Sequence, residues 1–143
     1  MISTRDPGTG LSAGLIASAV IPVAMDPPSM LISINRSASA HQFIARAGKL
    51  CINLLSIEQA ELVKLFTDPL QRDQRFSGTL WSDSEGIPYL LSSCSNIFCR
   101  TRTTVMFGTH EIFITEVFDV RGSDRPADPL GWIDGDFARL RPL

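Results

Sequence analysis

Cysteine, histidine and lysine are scarce in this sequence, and no apolar run is long. The three cysteines, Cys51, Cys94 and Cys99, form no C-x-x-C pair and give no metal-binding spacing with the only histidines, His41 and His110. Reduced thiols fit that scatter, and Cys94 and Cys99 on one strand would point to opposite faces. The opening "ISTRDPGTG" has no apolar core of the kind a signal peptide needs. No apolar run approaches the roughly 20 residues that cross a bilayer. These absences lead to the expectation of a cytoplasmic protein away from membranes. A net charge of −2 argues against nucleic acid as a partner. With two histidines in uninformative surroundings, no Ser/His/Asp triad can be assembled.

What is present is arginine. Of the thirteen basic residues only Lys49 and Lys64 are lysine, a bias that suits bidentate contact with phosphate or carboxylate. The 143 residues suit one domain, 1–143, with ordinary apolar and charged fractions of 44% and 20%. Turn signals recur at short intervals: "DPGTG" (6–10), "DPP" (26–28), "NRS" (35–37), "TDP" (67–69), "SEGIP" (84–88), "GTH" (108–110), "RGSDRPADP" (121–129) and "DG" (134–135). Between most of them lie short segments of Ile, Val, Leu, Thr and Phe, the rhythm of a mainly β domain.

Strands are expected on both sides of the Gly-rich loop in 2–20, at 29–36, at 49–55, and over 96–107 and 110–120, which pair across "GTH". The 29–36 strand alternates Met30, Ile32 and Ile34 with Ser29 and Ser33. The 49–55 strand is apolar on both faces and belongs inside a sheet. The segment 131–140 is expected to close the sheet. Two short helices flank these strands. In "SAHQFIARAG", Ala40, Phe43, Ile44 and Ala47 make an apolar stripe, Ser39 and Gln42 a capping box, and Gly48 a stop. In "SIEQAELVKLF", Ser56 and Gln59 repeat the box, and Leu62, Leu65 and Phe66 line a face. Glu58 and Glu61 there favour the helix dipole.

Three places attract a functional reading. "NRSASAH" (35–41) gathers Asn35, Arg36, Ser37 and Ser39 at a turn before a helix. That is a cradle for an anion such as phosphate, or a capped corner with Arg36 in water. "AGLIASAV" (13–20) is small and nearly uncharged, which lets a ligand reach the main chain or lets a strand pack tightly. His110, beside a turn, can act as acid, base or stacking partner, or merely be solvated. Asp134 and Asp136 share a strand face and read as solvated surface.

The run "SAGLIASAVIPVAMDPPSMLISINRSASAHQFI" resembles the opening of the flavin reductase-like family, the FMN-binding split barrels. The likeness continues in order through "GKLCINLLSIEQAELVKLF", "RFSGTLW", "GIPYLL" and "GTHEIFITEV", over roughly residues 10–120. It is nearest to reductase components of two-component flavin monooxygenases. The resemblance implies an antiparallel Greek-key split β-barrel, usually a homodimer, with flavin near the subunit interface. By position, Ala17, Ser18, Ala19 and Val20 would run along the isoalloxazine ring and offer main-chain hydrogen bonds. Asn35, Arg36, Ser37 and Ser39 would hold the phosphate of FMN or the linkage in FAD. His110 would border the ring near the nicotinamide of NADH or NADPH. In such proteins hydride passes from nicotinamide C4 to flavin N5, the cofactors carrying the chemistry and the protein supplying position and field.

Several residues depart from that pattern. Ile16 stands where Thr is frequent, and Pro22, Val23 and Ala24 replace a hydroxyl-rich segment; Pro22 also removes a backbone donor. The closing "DGDF" carries Asp134 and Asp136 where Arg is usual. The chain begins within the first strand of the pattern, so a weakened barrel or an exposed edge is expected. The function implied is an NAD(P)H-dependent flavin reductase supplying a partner monooxygenase. The departures keep open a flavin-binding electron carrier, or a barrel without flavin that serves as an interaction subunit.

Overall fold

Five peptide steps separate the end of one strand at Leu15 from the start of the next at Val20, and this short link decides the shape of the sheet. The computed structural model describes residues 1–124 and 126–141. Its strands are β1 (Ile2–Arg5), β2 (Ser12–Leu15), β3 (Val20–Met25), β4 (Pro28–Asn35), β5 (Lys49–Leu54), β6 (Trp81–Ser84), β7 (Ile87–Leu90), β8 (Ser95–Phe107), β9 (His110–Gly122), β10 (Leu130–Ile133) and β11 (Asp136–Arg139). The helices are α1 (His41–Ala47) and α2 (Ala60–Thr67), with 3-10 turns at Ile57–Gln59 and Pro69–Gln74. Seven strands form one antiparallel sheet in the order β2-β1-β5-β8-β9-β4-β3. Strands β2 and β3, joined directly, therefore lie at opposite edges. Laid flat, the six strand spacings would put them about 29 Å apart. Five residues reach at most about 18 Å. The sheet must roll up until its edges nearly meet, which is a split barrel.

The barrel interior follows the strand alternation. Ile32 and Ile34 of β4, Leu50 and Ile52 of β5, Ile2, Phe113 and Cys99 meet there, with Ile44 of α1 closing one end. Strand β5 is buried on its other face too, because the β6–β7 hairpin covers it: Cys51 packs with Ile87 and Phe98. Side chains fasten that hairpin to the sheet. Asn53 Oδ1 accepts from the Leu90 amide and from Asn96 Nδ2, both at 2.8 Å, and Asn53 Nδ2 donates to Ser3 Oγ at 2.9 Å. Ser3 Oγ in turn donates to Pro88 O at 2.6 Å. A second apolar cluster places Leu62 and Phe66 of α2 on Leu55 and Leu90. At Gly14 a Cβ would stand 2.6 Å from Ile2 O and 3.1 Å from the Phe76 ring, so only glycine lets that loop pack against β2.

Most sequence expectations hold, with definite corrections. Gly48 ends α1 at φ 68°, and Ser56 N donates to Gln59 Oε1 at 3.0 Å in the second capping box. The first box does not form. The residue before α1 is Ala40, in helical conformation, and no side chain caps it. The run 11–20 is not one strand, because β2 stops at Leu15. The segment 131–140 does not close the sheet but folds as a separate hairpin, β10–β11. Asp134 lies in its turn, at φ 52°, and Asp136 on the following strand, so the two share no strand face. Cys94 precedes β8 and is not on one strand with Cys99. Strand β1 has neighbours on both sides and is no edge. Pro22 is accommodated because β3 is an edge strand with a bulge after it. Residues 81–90, given no strands by sequence, carry β6 and β7.

Two predictions follow from the packing. Asn53→Ala leaves the Leu90 amide and the Asn96 amide group short of a buried acceptor and should cost about 2–4 kcal/mol in urea unfolding. Burial pushes the thiols of Cys51 and Cys99 up to about 12 and about 11. In a native thiol titration at pH 8 both should stay silent while half-buried Cys94 reacts, and denaturant should release all three.

Candidate functional site

The sequence candidates converge on one end of β4. Its register with β3 pairs Ile32 with Val20, and Ser33 N donates to Ala19 O at 3.0 Å. Continued, that register runs Ser18 and Ala17 toward Ile34 and Asn35. The chain departs from it at Ser18, whose carbonyl takes the Val20 amide at 3.1 Å. On the other side of β4, Asn35 pairs with His110 of β9, and Arg36 N donates to Thr109 O at 2.9 Å. Ala19 and Val20 thus lie beside β4 at Ser33 and Ile32, and Arg36 and His110 flank its end at Asn35, so the link and the turn meet the same half of β4 at a junction.

Main-chain groups dominate this junction. Among the described residues, the amides of Ala17, Ser18 and Ala19 have no main-chain acceptor, while that of Val20 is taken. Ser18 and Ala19 are exposed, so their donors face solvent or a ligand. Their side chains are too small to fill the space beside them, which is why a flat ligand can approach. Ile16 does not contribute here; it packs against the cluster under α2.

The 35–39 turn shapes itself. Asn35 Oδ1 accepts from both Ser37 N and Ser37 Oγ at 2.9 Å, an Asx turn. The acceptor of Asn35 and the Ser37 proton are therefore spent on the fold of the turn. The guanidinium of Arg36 is exposed and has no ion pair among the described residues. Ser39 is exposed and lines an adjoining groove rather than capping α1. His110 is exposed, with Nδ1 2.9 Å from Thr109 Oγ1, which leaves Nε2 for a ligand.

One contact was not legible in the sequence. His41 Nε2 lies 2.6 Å from Glu111 Oε2, both side chains being nearly buried, and the His41 ring stands edge-on to Phe113 at 6.1 Å. This pair bolts the start of α1 to β9, one residue from His110. With Asn35 held in the β4–β9 ladder, the turn is anchored at both ends. Strand pairing alone reveals it, since residues 41 and 111 are 70 positions apart.

A concavity of about 290 Å³ shares Ser39 with the turn and is lined by β2, the start of α1, and Arg72, Arg75 and Phe76. Among the nine sequence candidates it includes Ser39 alone. No group of three potential metal ligands occurs among the described residues, and no helix of these residues is long and apolar enough to cross a membrane.

Comparison with known proteins places this geometry. The family model "Flavin reductase like domain" matches residues 1–141. An FMN reductase (NADH) RutF of Pseudomonas syringae pv. syringae (strain B728a) is 38% identical over 122 residues, 85% of this chain and 67% of its own length. A protein of the same name from Bradyrhizobium diazoefficiens is 39% identical over 118 residues, 81% of this chain and 64% of its own. The chain thus spans about two thirds of the length of these curated relatives. Among solved structures, a protein from Haemophilus somnus 129pt assigned as a flavin reductase superposes with a TM-score of 0.90 at 29% identity, over 97% of this chain and 88% of that one.

Proposed function

The chain belongs to the flavin reductase-like domain family, and on that footing we propose that it is an NAD(P)H-dependent flavin reductase. It takes FMN or FAD and NADH or NADPH in the cytoplasm and supplies reduced flavin to a partner monooxygenase. The observation that carries this reading is the junction at the end of β4. There, three small residues whose amides have no main-chain acceptor, an arginine without an ion pair and an exposed histidine lie along the same half of β4 among the described residues.

These residues fit a flavin. The amides of Ala17, Ser18 and Ala19 are donors for the polar edge of the ring, and Val20 bounds it with its side chain. Arg36 and Ser39 supply charge and a hydroxyl group for the phosphate, on a turn whose shape Asn35 and Ser37 fix between them. Hydride transfer between the two rings is the cofactors' chemistry. The chain's own task is to hold the rings parallel, to place donors where negative charge develops, and to border the nicotinamide with His110. That division agrees with a site lacking a nucleophile or a paired general acid and base. Ser18, Ala19 and Arg36 are all exposed, which suits release of a flavin that acts elsewhere.

Exposed apolar surface on two strands, one end of it beside the site, supports a homodimer. Ile21, Val23 and Met25 on β3 and Val105, Met106 and Phe107 on β8 are all exposed, Met25 by 88% and Phe107 by 81%. Both strands show apolar groups on both faces, more than a monomer leaves in water. Phe107 pairs with His110 across the hairpin, so a second copy seated there would also wall the junction.

The purified protein should perturb the visible spectrum of FMN and oxidise NADH rapidly in air once FMN is added. Binding without turnover would make it a flavin carrier, and no spectral change would remove flavin from its function. Arg36→Ala should raise the Kd for FMN about tenfold through loss of a charge-assisted contact. His110→Ala should lower kcat for NADH oxidation more than it loosens flavin; unaltered kinetics would take His110 out of the site. Light scattering should give a dimer that Met25→Glu with Phe107→Glu converts to monomer, whereas a monomeric parent protein would refute the assembly.

A further inference from the structure

Glu111 is a buried acid that the flavin chemistry does not use. It follows His110 on β9, and its side chain is only 6% exposed, on the inward side of the strand with Phe113 and Thr115. A carboxylate so placed needs an answering donor. No described arginine or lysine forms an ion pair with it. Its partner is His41, whose Nε2 lies 2.6 Å from Glu111 Oε2. Resting on the reading above, we propose that His41 and Glu111 are positioning residues for the phosphate end of the flavin. They hold the turn that carries Arg36 and Ser39 in its binding shape before the ligand arrives.

The need for such a device lies in α1. The helix has seven residues, about two turns, too few to hold their shape alone. Its first turn has no side-chain cap and no acid. Ala40 and Ile44 are buried against the barrel interior, but apolar contact is non-directional and sets the rotation of the helix only loosely. The bond from His41 to Glu111 supplies the direction, and the His41 ring meets Phe113 edge-on at 6.1 Å on the same side of β9.

The segment 35–41 is pinned to β9 at both ends. Asn35 pairs with His110, Arg36 N donates to Thr109 O at 2.9 Å, and His41 reaches Glu111. The two anchors on β9 are adjacent residues, so the segment is a closed loop standing on the strand that carries His110. Within it, Ala38 N donates to Asn35 O and His41 N to Ala38 O, both at 3.0 Å. These two bonds carry the placement of His41 back through the residues that present Arg36 and Ser39. Closing a loop beforehand removes freedom that phosphate binding would otherwise have to remove. The flavin ring gains nothing from this, because its edge meets residues 17–20.

The double variant His41→Leu with Glu111→Leu removes the contact without leaving a buried charge, and should unfold cooperatively like the parent. It should raise the Kd for FMN about tenfold, and leave unchanged both the Kd for riboflavin, which has no phosphate, and kcat at saturating FMN. His41→Gln, which keeps a donor for Glu111, should recover most of the FMN affinity. In the Arg36→Ala background the double variant should add little further loss. An unchanged FMN Kd, or equal losses for FMN and riboflavin, overturns the proposal. Amide hydrogen exchange without flavin reads the loop by itself: amides 36–41 should exchange about tenfold faster in the double variant while β5 keeps its protection. Unchanged exchange there overturns the positioning role. Faster exchange in a protein whose parent form binds neither flavin upholds the pinned loop and refutes the flavin reading separately.

Discussion

The length of the link between Leu15 and Val20 governs this structure. A seven-stranded sheet whose two edge strands are consecutive in sequence, with four residues between them, cannot lie flat. Closure makes the interior that buries Ile2, Ile32, Ile34, Leu50 and Phe113. It also creates a seam at which the ladder is interrupted. Residues in the link are withdrawn from strand pairing by geometry, and their amides are left unpaired. Ile16 turns under α2, but a large side chain at 17–19 would cover those donors. Alanine and serine do not, so the fold's closing stitch and its most available row of hydrogen-bond donors are the same few residues.

The polar groups divide the labour accordingly. Where the structure must be rigid, polar side chains are spent on each other and on main chain: Asn53, Ser3 and Asn96 fasten the β6–β7 hairpin, and His41 with Glu111 fixes the start of α1. An apolar replacement would leave buried donors unanswered, so these contacts specify position more than they add stability. Where the structure meets solvent at the junction, donors and cations are left unpaired. Such a site suits a reaction whose bond changes occur within bound cofactors, because preorganised position and field are then what the protein has to supply.

The sequence was legible where local physics decides the outcome. Alternation of Ile32 and Ile34 with serines, the glycine stop at Gly48 and the Ser56–Gln59 box are short-range signals, and all appear as read. It misled where tertiary geometry overrides them. Ser39 looked like a cap, but Ala40 is already helical, so the box has no place to form. The 131–140 segment looked like a sheet strand, yet it pairs only with itself across Asp134 and Gly135, and the antiparallel order of the other seven strands leaves it outside. His41–Glu111 and the Asn53 clasp join residues far apart in sequence, and no pattern within either segment announces its partner. The small-residue link was noticed for its composition; that it must be the closing seam follows only from strand order.

Charge distribution ties the junction and the groove together. Arg5, Arg46, Arg102, Arg121, Arg139, Lys49 and Lys64 all pair with a carboxylate, so most of the positive charge is neutralised locally. The cations left without such a partner include Arg36 and Arg72, and these flank Ser39 from the turn and from the groove. A chain with net charge −2 does not attract anions as a whole. It can do so at one place if paired arginines are silent and unpaired ones adjoin, because the field of a neutralised pair falls off quickly while that of a free cation extends about 8 Å in physiological salt. The preference for Arg over Lys therefore has a functional meaning at Arg36 and Arg72. At both, a planar fork can engage two oxygens of a phosphate where an ammonium would offer a point charge.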